Sequence, residues 1–405
     1  MKKLFLLLQV TLFFLALSDV YSQWYPQTSG TSVDLYDVSF TDVNNGIAVG
    51  ENGKILKTTN GGTNWTSQTS GTSKDLMGVS FTNTDTGTVV GWDGTILRTT
   101  NGGINWFSQS GTIRSMRDVY FIDVNTGTAV GTFGEIIRTT NGGTNWISQE
   151  SGTTQHLWSV CFVDENTGTV VGDGSTVLRT TNGGINWISQ TSGIANPLRC
   201  VYFTDANSGT IGGHYGAILR TTNGGTNWTS QTSGTTNVLL GVSFTNANTG
   251  TIVGTSGEIL RTTNGGVNWT SQTSGTLEWL YGVCFTDANN GTAVGREGTI
   301  LRTTNGGVFV NQISSETPER YSLYQNYPNP FNPVTTIKFD IPKSSNIKII
   351  IYDMLGKEIA TLVDERLIAG SYSVDWIAIS YPSGVYFYKV ITDEYIDTKK
   401  MILLK

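Results

Sequence analysis

The sequence predicts an all-β protein: a seven-bladed β-propeller of about 41-residue four-stranded repeats, followed by a small C-terminal immunoglobulin-like β-sandwich. Two observations predict this fold class. The phrase TTNGGTNW at positions 58–65 returns in near-copies at an almost constant spacing, and a Pro-rich segment follows where the repetition stops. A period of about 40 residues, with short apolar runs between turns rich in Gly, Asn and Asp, is typical of propeller blades. The copies begin at Thr58, Thr99, Thr139, Thr180, Thr221, Thr262 and Thr303.

Each repeat predicts four short strands. The stretch LMGVSFTNTDTGTVVGWDGTILRTTNGGINW at 76–106 contains an apolar run, a TDTG turn, a second run, a Gly turn, a third run and an Asn-Gly-Gly hairpin that leads into a strand beginning with Trp. A unit of this size cannot bury both of its faces, so neighbouring blades must cover them.

The two ends of the repeat region predict how the ring closes. The fourth strand is absent after Thr303, but WYPQTSG at Trp24 matches WTSQTSG at Trp65, which lies one repeat period later. We therefore expect the N-terminal strand to complete the last blade, which would remove two exposed sheet edges.

Composition excludes some classes of partner. The chain has 405 residues, a net charge of -6 and no run of Lys or Arg, so it lacks the basic stripe that neutralises nucleic-acid phosphates. Cys161, Cys200 and Cys284 stand in strand-like contexts and are interpreted as core residues. The Asp-x-Asn-x-Gly turns lack the distal Glu of a calcium loop. We predict no metal, no cofactor and a monomer.

Residues 1–22 have the pattern of a secretory signal peptide. Lys2 and Lys3 precede an apolar stretch from Leu4 to Leu17, with a cleavage position before Gln23. An uncleaved membrane anchor is the alternative. No later segment reaches about 18 apolar residues, so no integral membrane span is expected after cleavage.

The repeated phrase resembles the Asp-box, or bacterial neuraminidase repeat, although Asn replaces the defining Asp in every copy and the seventh copy lacks the Trp. Over residues 23–313 the blade pattern resembles the photosystem II stability and assembly factors. That resemblance implies a propeller that binds a protein partner. Because Asn followed by Gly-Gly caps its own turn, and the same residues occur in every blade, we interpret the phrase as scaffold.

The variable positions predict where a ligand binds. The loops between blades and the turns between the second and third strands share one face, where the text differs from copy to copy. Exposed aromatic residues beside arginines favour a binding surface, although these rings could instead fill the channel mouth as core. The candidate ligand-binding residues are Trp92, Trp158, Trp279, Tyr36, Tyr281, Arg117, Arg199, Arg296, His156 and His214.

These residues favour a non-enzymatic module that binds a glycan or a surface protein. The alternative is a polysaccharide hydrolase. A sialidase-like site would use the three arginines of the set, with Tyr36 or Tyr281 as nucleophile. A glycosidase would need two paired carboxylates. Its candidates are Asp37, Asp75, Asp93, Asp118 and Asp173, among which no pair stands out, so no catalytic residue is assigned.

The C-terminal segment predicts an export address. After an expected linker at 314–322, residues 323–405 carry YPNPFNP, YDMLGKE, PSGVYFYK and KKMILLK. These motifs resemble the type A C-terminal sorting domain of type IX secretion. The resemblance implies contact with the secretion machinery, removal of the tail, and release or surface attachment; a structural or ligand-binding sandwich is the alternative. The sorting-signal residues so implied are Pro382, Gly384, Tyr386, Lys399 and Lys400.

Overall fold

The computed structural model describes residues 24–307, 310–378 and 381–405. The predicted signal peptide lies outside them. The all-β fold class is confirmed: within the described ranges, seven consecutive four-stranded antiparallel sheets form the blades of a propeller, and two further four-stranded sheets form a small C-terminal domain. No helix in the described part of the chain is both long and apolar enough to span a membrane.

We number the blades 1 to 7 from the first strand onward. The first strands, which lie beside those of neighbouring blades, are Leu35–Phe40, Leu76–Phe81, Met116–Phe121, Leu157–Phe162, Leu198–Phe203, Leu239–Phe244 and Leu280–Phe285. The second strands are Gly46–Gly50, Gly87–Gly91, Gly127–Gly131, Gly168–Gly172, Gly209–Gly213, Gly250–Gly254 and Gly291–Gly295. The third strands are Ile55–Thr58, Ile96–Thr99, Ile136–Thr139, Val177–Thr180, Ile218–Thr221, Ile259–Thr262 and Ile300–Thr303. The fourth strands are Thr66–Gln68, Phe107–Gln109, Ile147–Gln149, Ile188–Ser189, Thr229–Gln231, Thr270–Ser271 and, for blade 7, Tyr25–Pro26.

The second strand of each blade is buried along its whole length. Its first glycine is required by close packing: a Cβ on Gly46 would lie 2.5 Å from the ring of Phe40. A larger residue there would push the first strand away.

The N-terminal strand closes the ring. Tyr25 pairs with Arg302 and Pro26 with Leu301, so the strand supplies the fourth strand of blade 7. Trp24 is fully buried, its ring meets Phe285 edge-on at 5.6 Å, and its Nε1 donates to Oε1 of Gln272 in blade 6. The two ends of the propeller are therefore joined by backbone bonds and by a buried side chain.

The same Trp contact recurs in every blade. Each repeat Trp meets the Phe that ends the first strand of its own blade, with ring centroids 5.6 to 6.1 Å apart. In blades 1, 3, 4, 6 and 7 its Nε1 also donates to a Gln in the outer strand of the preceding blade. The Trp of the repeated phrase thus packs within each blade and, in these five blades, also bonds to the preceding one.

Polar side chains also link the blades along the central channel. Short side chains on one first strand accept backbone amides from the first strand of the next blade, which satisfies donors that the sheets leave unpaired. The predicted core cysteines are free thiols in this wall. The acceptor and donor pairs are Asp37 and Val79, Ser39 and Phe81, Ser80 and Phe121, Asp118 and Val160, Ser159 and Val201, Cys161 and Phe203, Ser243 and Phe285, and Cys284 and Phe40.

The C-terminal domain packs two sheets around one apolar core. In order, the first sheet contains Val310–Ser314, Gly370–Ile377, Val334–Ile341 and Ser322–Leu323, and the second contains Glu358–Leu367, Ser345–Tyr352, Gly384–Ile391 and Ile396–Leu403. Strand Val310–Ser314 pairs with Gly370–Ile377. The expected boundary at 313 and the linker at 314–322 are therefore corrected, because this strand is hydrogen-bonded into the C-terminal domain.

Candidate functional site: the loop face of the propeller

The two faces of the propeller are built from different connections. On one, the turn after the first strand meets the Asn-Gly-Gly hairpin, where the amide of Gly61 donates to the carbonyl of Asn44 at 3.0 Å. On the other, the interblade loop meets the turn after the second strand, where the amide of Glu51 donates to the carbonyl of Asp34 at 2.9 Å. We call these the hairpin face and the loop face. All ten candidate ligand-binding residues belong to connections or strand ends of the loop face.

The turns after the second strands have two consecutive residues in the left-handed region, which defines a type I′ turn. The first of the two is Asn52, Asp93, Phe133, Gly174, Tyr215, Ser256 and Glu297 in blades 1 to 7. Aromatic residues rarely adopt this conformation. The side chains of Phe133 and Tyr215 are nevertheless 62% and 71% exposed. The sequence analysis did not select either residue. An aromatic residue at a position where other blades carry Asn, Asp, Gly or Ser could have indicated them as candidate binding residues.

Two tryptophans and two arginines form the Arg–Trp cluster, made of Trp92, Arg117, Trp158 and Arg199. The guanidinium carbon of Arg117 lies 6.0 Å from the ring centroid of Trp92 and 4.6 Å from that of Trp158. Arg199 lies 3.9 Å from the same Trp158 ring. These distances are within the range of cation–π attraction. The predicted arginines of blades 3 and 5 therefore meet on the Trp158 ring of blade 4, and Arg117 connects that ring to Trp92 of blade 2.

Hydrogen bonds fix the position of Trp158 and Arg199. The indole Nε1 of Trp158 donates to Oδ1 of Asp173 at 2.8 Å. Nε of Arg199 donates to Nε2 of His214 at 2.9 Å, and its Nη2 lies 3.9 Å from Asp173. Burial, followed by the charge of Arg199, lowers the pKa of His214, so the imidazole is neutral and acts as an acceptor. Asp173 and His214 thus hold one half of the Arg–Trp cluster rigidly.

Arg117 differs from Arg199 in its partners. Within the described ranges its guanidinium makes no hydrogen bond and no ion pair, and its Nε is fully buried. Burial lowers the pKa of Arg117, while Tyr36 and Asp173 oppose that shift. A buried guanidinium nitrogen without an acceptor is costly, because its lost hydration is not replaced.

The tyrosines form a second group at the junction of blades 7 and 1. The rings of Tyr36 and Tyr281 are 5.3 Å apart, and Trp279 lies 6.3 Å from Tyr281. Tyr36 donates to Glu51 and Tyr281 donates to Asp34. Burial and these carboxylates raise the pKa of both phenols, so each keeps its proton and acts as a donor.

Two predicted residues have other contacts at the rim. Arg296 pairs with Glu278 at 4.0 Å. His156 accepts the backbone amide of Phe133 at 3.2 Å and packs on its ring. Of the three arginines that a sialidase-like site would use, Arg117 and Arg199 both contact Trp158, whereas Arg296 pairs with Glu278 instead.

The channel brings together two carboxylates that sequence reasoning could not pair. Asp37 and Asp118 lie on the first strands of blades 1 and 3, on either side of the first strand of blade 2. Desolvation raises the pKa of both, and the nearby Asp118 adds to the effect on Asp37. Both oxygens of each carboxylate accept backbone amides. The pair links neighbouring blades, so its oxygens are occupied by the scaffold.

The predicted sorting-signal residues mostly shape the C-terminal domain. Tyr386 is buried, and its hydroxyl donates to the carbonyl of Pro382 at 2.7 Å. Such a bond resembles the tyrosine corner of immunoglobulin-like domains. Gly384 pairs with Leu403 in the sheet. Lys399 pairs with Asp397 at 3.7 Å, and the side chain of Lys400 is exposed.

The fold defines a seven-bladed propeller followed by a small C-terminal β domain. The chain belongs to the family described as photosynthesis system II assembly factor YCF48, whose model matches residues 17–110 and 107–236. A second model, the secretion system C-terminal sorting domain, matches residues 325–404. The protein is therefore secreted or displayed on the outer surface of the cell. A comparison with curated proteins gave no match.

Solved structures show the same fold. YCF48 bound to a D1 peptide is 22% identical with a TM-score of 0.61, covering 70% of this chain and 96% of that one. YCF48 from Cyanidioschyzon merolae is 22% identical with a TM-score of 0.60, covering 69% and 98%. PorZ, an essential bacterial surface component of the type-IX secretion system of Porphyromonas gingivalis, is 12% identical with a TM-score of 0.56, covering 94% and 60%.

Proposed function

We propose that this protein is a cell-surface or secreted binding module whose loop face holds an acidic group of another surface component. The observation that carries the proposal is Arg117, a guanidinium 6.0 Å and 4.6 Å from the centroids of two indole rings, with no acceptor of its own among the described residues. The two Nη atoms, unlike Nε, are not fully buried, so a carboxylate can supply them with an acceptor, and bonds to charged groups are among the stronger hydrogen bonds.

The loop face suits a ligand with both charged and apolar parts. Trp92, beside Arg117, and Trp279, beside Tyr281, are each 44% exposed and offer ring faces for stacking. Tyr36 and Tyr281 donate their hydroxyl protons to Glu51 and Asp34, so they add ring surface and hydroxyl oxygens that can accept from a ligand. Such a mixture of a few polar groups among aromatic rings is common in ligand sites.

Two ligand sources share this chemistry. The carboxylate can belong to an Asp or Glu side chain of a surface protein, or to a uronic acid in a surface glycan. The structure of YCF48 bound to a D1 peptide supports the protein source, because that propeller belongs to the same family.

The test uses the purified protein in two arms. One arm presents acidic and amidated versions of the same peptides; the other presents uronate-containing and neutral polysaccharides, with retention and release of reducing ends both measured. We expect retention of acidic ligands in one arm. Arg117→Gln should weaken it at least about tenfold, because one charge-assisted bond is lost.

Arg114→Gln is the matched control. Arg114 is also a loop-face arginine, but it already pairs with Glu135 at 3.2 Å, so its loss should leave retention unchanged. Equal retention of acidic and neutral ligands, or full binding by Arg117→Gln, would refute the proposal. Release of reducing ends would instead favour the polysaccharide hydrolase.

A further inference from the structure

The C-terminal domain presents an apolar tip at the turn between two strands of its second sheet. Strands Ser345–Tyr352 and Glu358–Leu367 are joined by residues 353–357, and the side chains of Met354 and Leu355 are 69% and 91% exposed. Among the described residues of this domain, no other two adjacent large apolar side chains are both so exposed. We call this pair the apolar tip.

The turn holds its shape without these two side chains. Oδ1 of Asp353 accepts the amides of Leu355 at 2.8 Å and Lys357 at 2.9 Å. The amide of Asp353 donates to the carbonyl of Lys357, and Gly356 takes a left-handed conformation at φ +79°. The backbone bonds and the Asp carboxylate therefore close the turn. The apolar tip adds nothing to this bonding, yet it faces water, which is unfavourable for large apolar groups.

The predicted sorting-signal residues Pro382, Gly384 and Tyr386 do not offer a comparable apolar surface. Tyr386 is buried against Trp376 at 5.2 Å and bonds to Pro382, and Gly384 lies within a sheet ladder. A change at these positions would act first on folding. A partner that recognises the folded domain must contact groups on its outside, and the apolar tip is its most prominent adjacent apolar pair.

We propose that Met354 and Leu355 form the contact by which the sorting domain binds the secretion machinery, inserting into an apolar pocket of an envelope component. The partner follows from the sorting-domain match, which covers the turn. The kind of pocket follows from the shape of the turn, since two adjacent side chains on a rigid, convex turn fit a concave apolar site. The flanking Asp353 is used within the turn, so the recognition is mainly apolar.

The test follows export of the full-length chain in a bacterium that carries a type IX secretion system. The variant Met354→Ser/Leu355→Ser should lower the amount that reaches the medium or the protease-accessible surface at least about tenfold, as expected for loss of a central apolar anchor. The purified variant should keep the wild-type melting temperature, because the turn bonds remain. Ile396→Ser, which removes an exposed apolar side chain elsewhere in the same domain, is the matched control and should be exported normally.

A photo-crosslinking residue at position 355 identifies the partner even if the double variant folds poorly. We expect a covalent adduct with a protein of the secretion machinery during export. Export of the double variant at the wild-type level, or adducts confined to lipid or to a second copy of this chain, would overturn the proposal. Ligand retention by the propeller is a separate measurement, so failure here leaves the role of Arg117 unaffected.

Discussion

The hairpin face and the loop face of the propeller have similar repeated backbone turns but differ in how their side chains are used. On the hairpin face, side chains of the repeated phrase satisfy neighbouring amides: Oγ1 of Thr58 accepts the amide of Gly62, and Oδ1 of Asn60 accepts that of Asn64. On the loop face, Arg117 lacks an acceptor among the described residues, and Phe133 and Tyr215 occupy turn positions that suit Asn or Gly. The comparison shows that the Thr and Asn of the repeated hairpin satisfy their own turn, while the variable loop face includes groups kept at a cost in stability.

Tryptophan provides the sharpest test of this difference, because it occurs in both settings. Trp24→Ala should destabilise the propeller by about 3–5 kcal/mol, since it empties a buried site and breaks the bond to Gln272 at the closure. The melting temperature should fall by roughly 10 °C. Deletion of residues 24–30 should lower it further.

Trp279→Ala is the matched change on the loop face. Its ring is partly exposed and packs on Tyr281 alone among the aromatic residues described, so the cost should stay below about 1 kcal/mol. Thermal unfolding followed by circular dichroism measures both variants. Equal losses from the two tryptophans would contradict the distinction between scaffold and site.

The pH dependence of stability should differ between a carboxylate between the blades and one on the hairpin face. The pKa of Asp37 is raised in the folded state, so its contribution to stability is full below the unfolded pKa of about 4 and is lost as pH rises through the folded value. The pKa of Asp42 on the hairpin face is lowered, mainly by bonds from Asn45, so its contribution is lost as pH falls. Asp37→Asn should flatten the decline in stability towards alkaline pH.

Melting temperatures measured from pH 4 to 9 test this opposition. The difference between wild type and Asp37→Asn should change by about 3 °C or more over that range. Asp42→Asn should change the profile only at its acidic end. An Asp37→Asn profile parallel to that of the wild type would mean that desolvation in the channel does not control this carboxylate.

Local spacing predicted the parts of the fold that repeat. The seven copies of the phrase, and the match of Trp24 to Trp65, indicated the blades and their closure, because each blade repeats one set of contacts. The end of the propeller was misplaced, because strand Val310–Ser314 finds its partner far along the chain in strand Gly370–Ile377, and no local pattern records that pairing.

The site was predicted only as a face. Its residues vary from blade to blade, so alignment of the copies showed where variation lies but not which side chains meet. The joining of Arg117 and Arg199 by Trp158 depends on rotamers and on the neighbouring Asp173. The left-handed conformation of Phe133 and Tyr215 was missed because aromatic residues seldom have a positive φ, so their presence in the sequence does not indicate such a turn.

The smallest expected effect tests whether this backbone conformation is costly. Phe133→Asn places the residue type found at the same turn position in blade 1, where Asn52 has φ 55°. Asn tolerates the left-handed region better than Phe, so we expect a gain of about 0.5–1 kcal/mol despite the lost contacts with His156 and Arg114. Chemical denaturation of the purified propeller measures the change.

Ser256→Asn is the control, because a small polar residue already occupies that turn in blade 6 and little should change. A loss of stability in Phe133→Asn would mean that the aromatic contacts outweigh the backbone cost, and Phe133 would then belong to the scaffold. A gain in stability together with weaker retention of the acidic ligand would mean that the ring is kept for binding. Tyr215→Asn should behave in the same way, since Tyr215 shares the turn position and the exposure of Phe133.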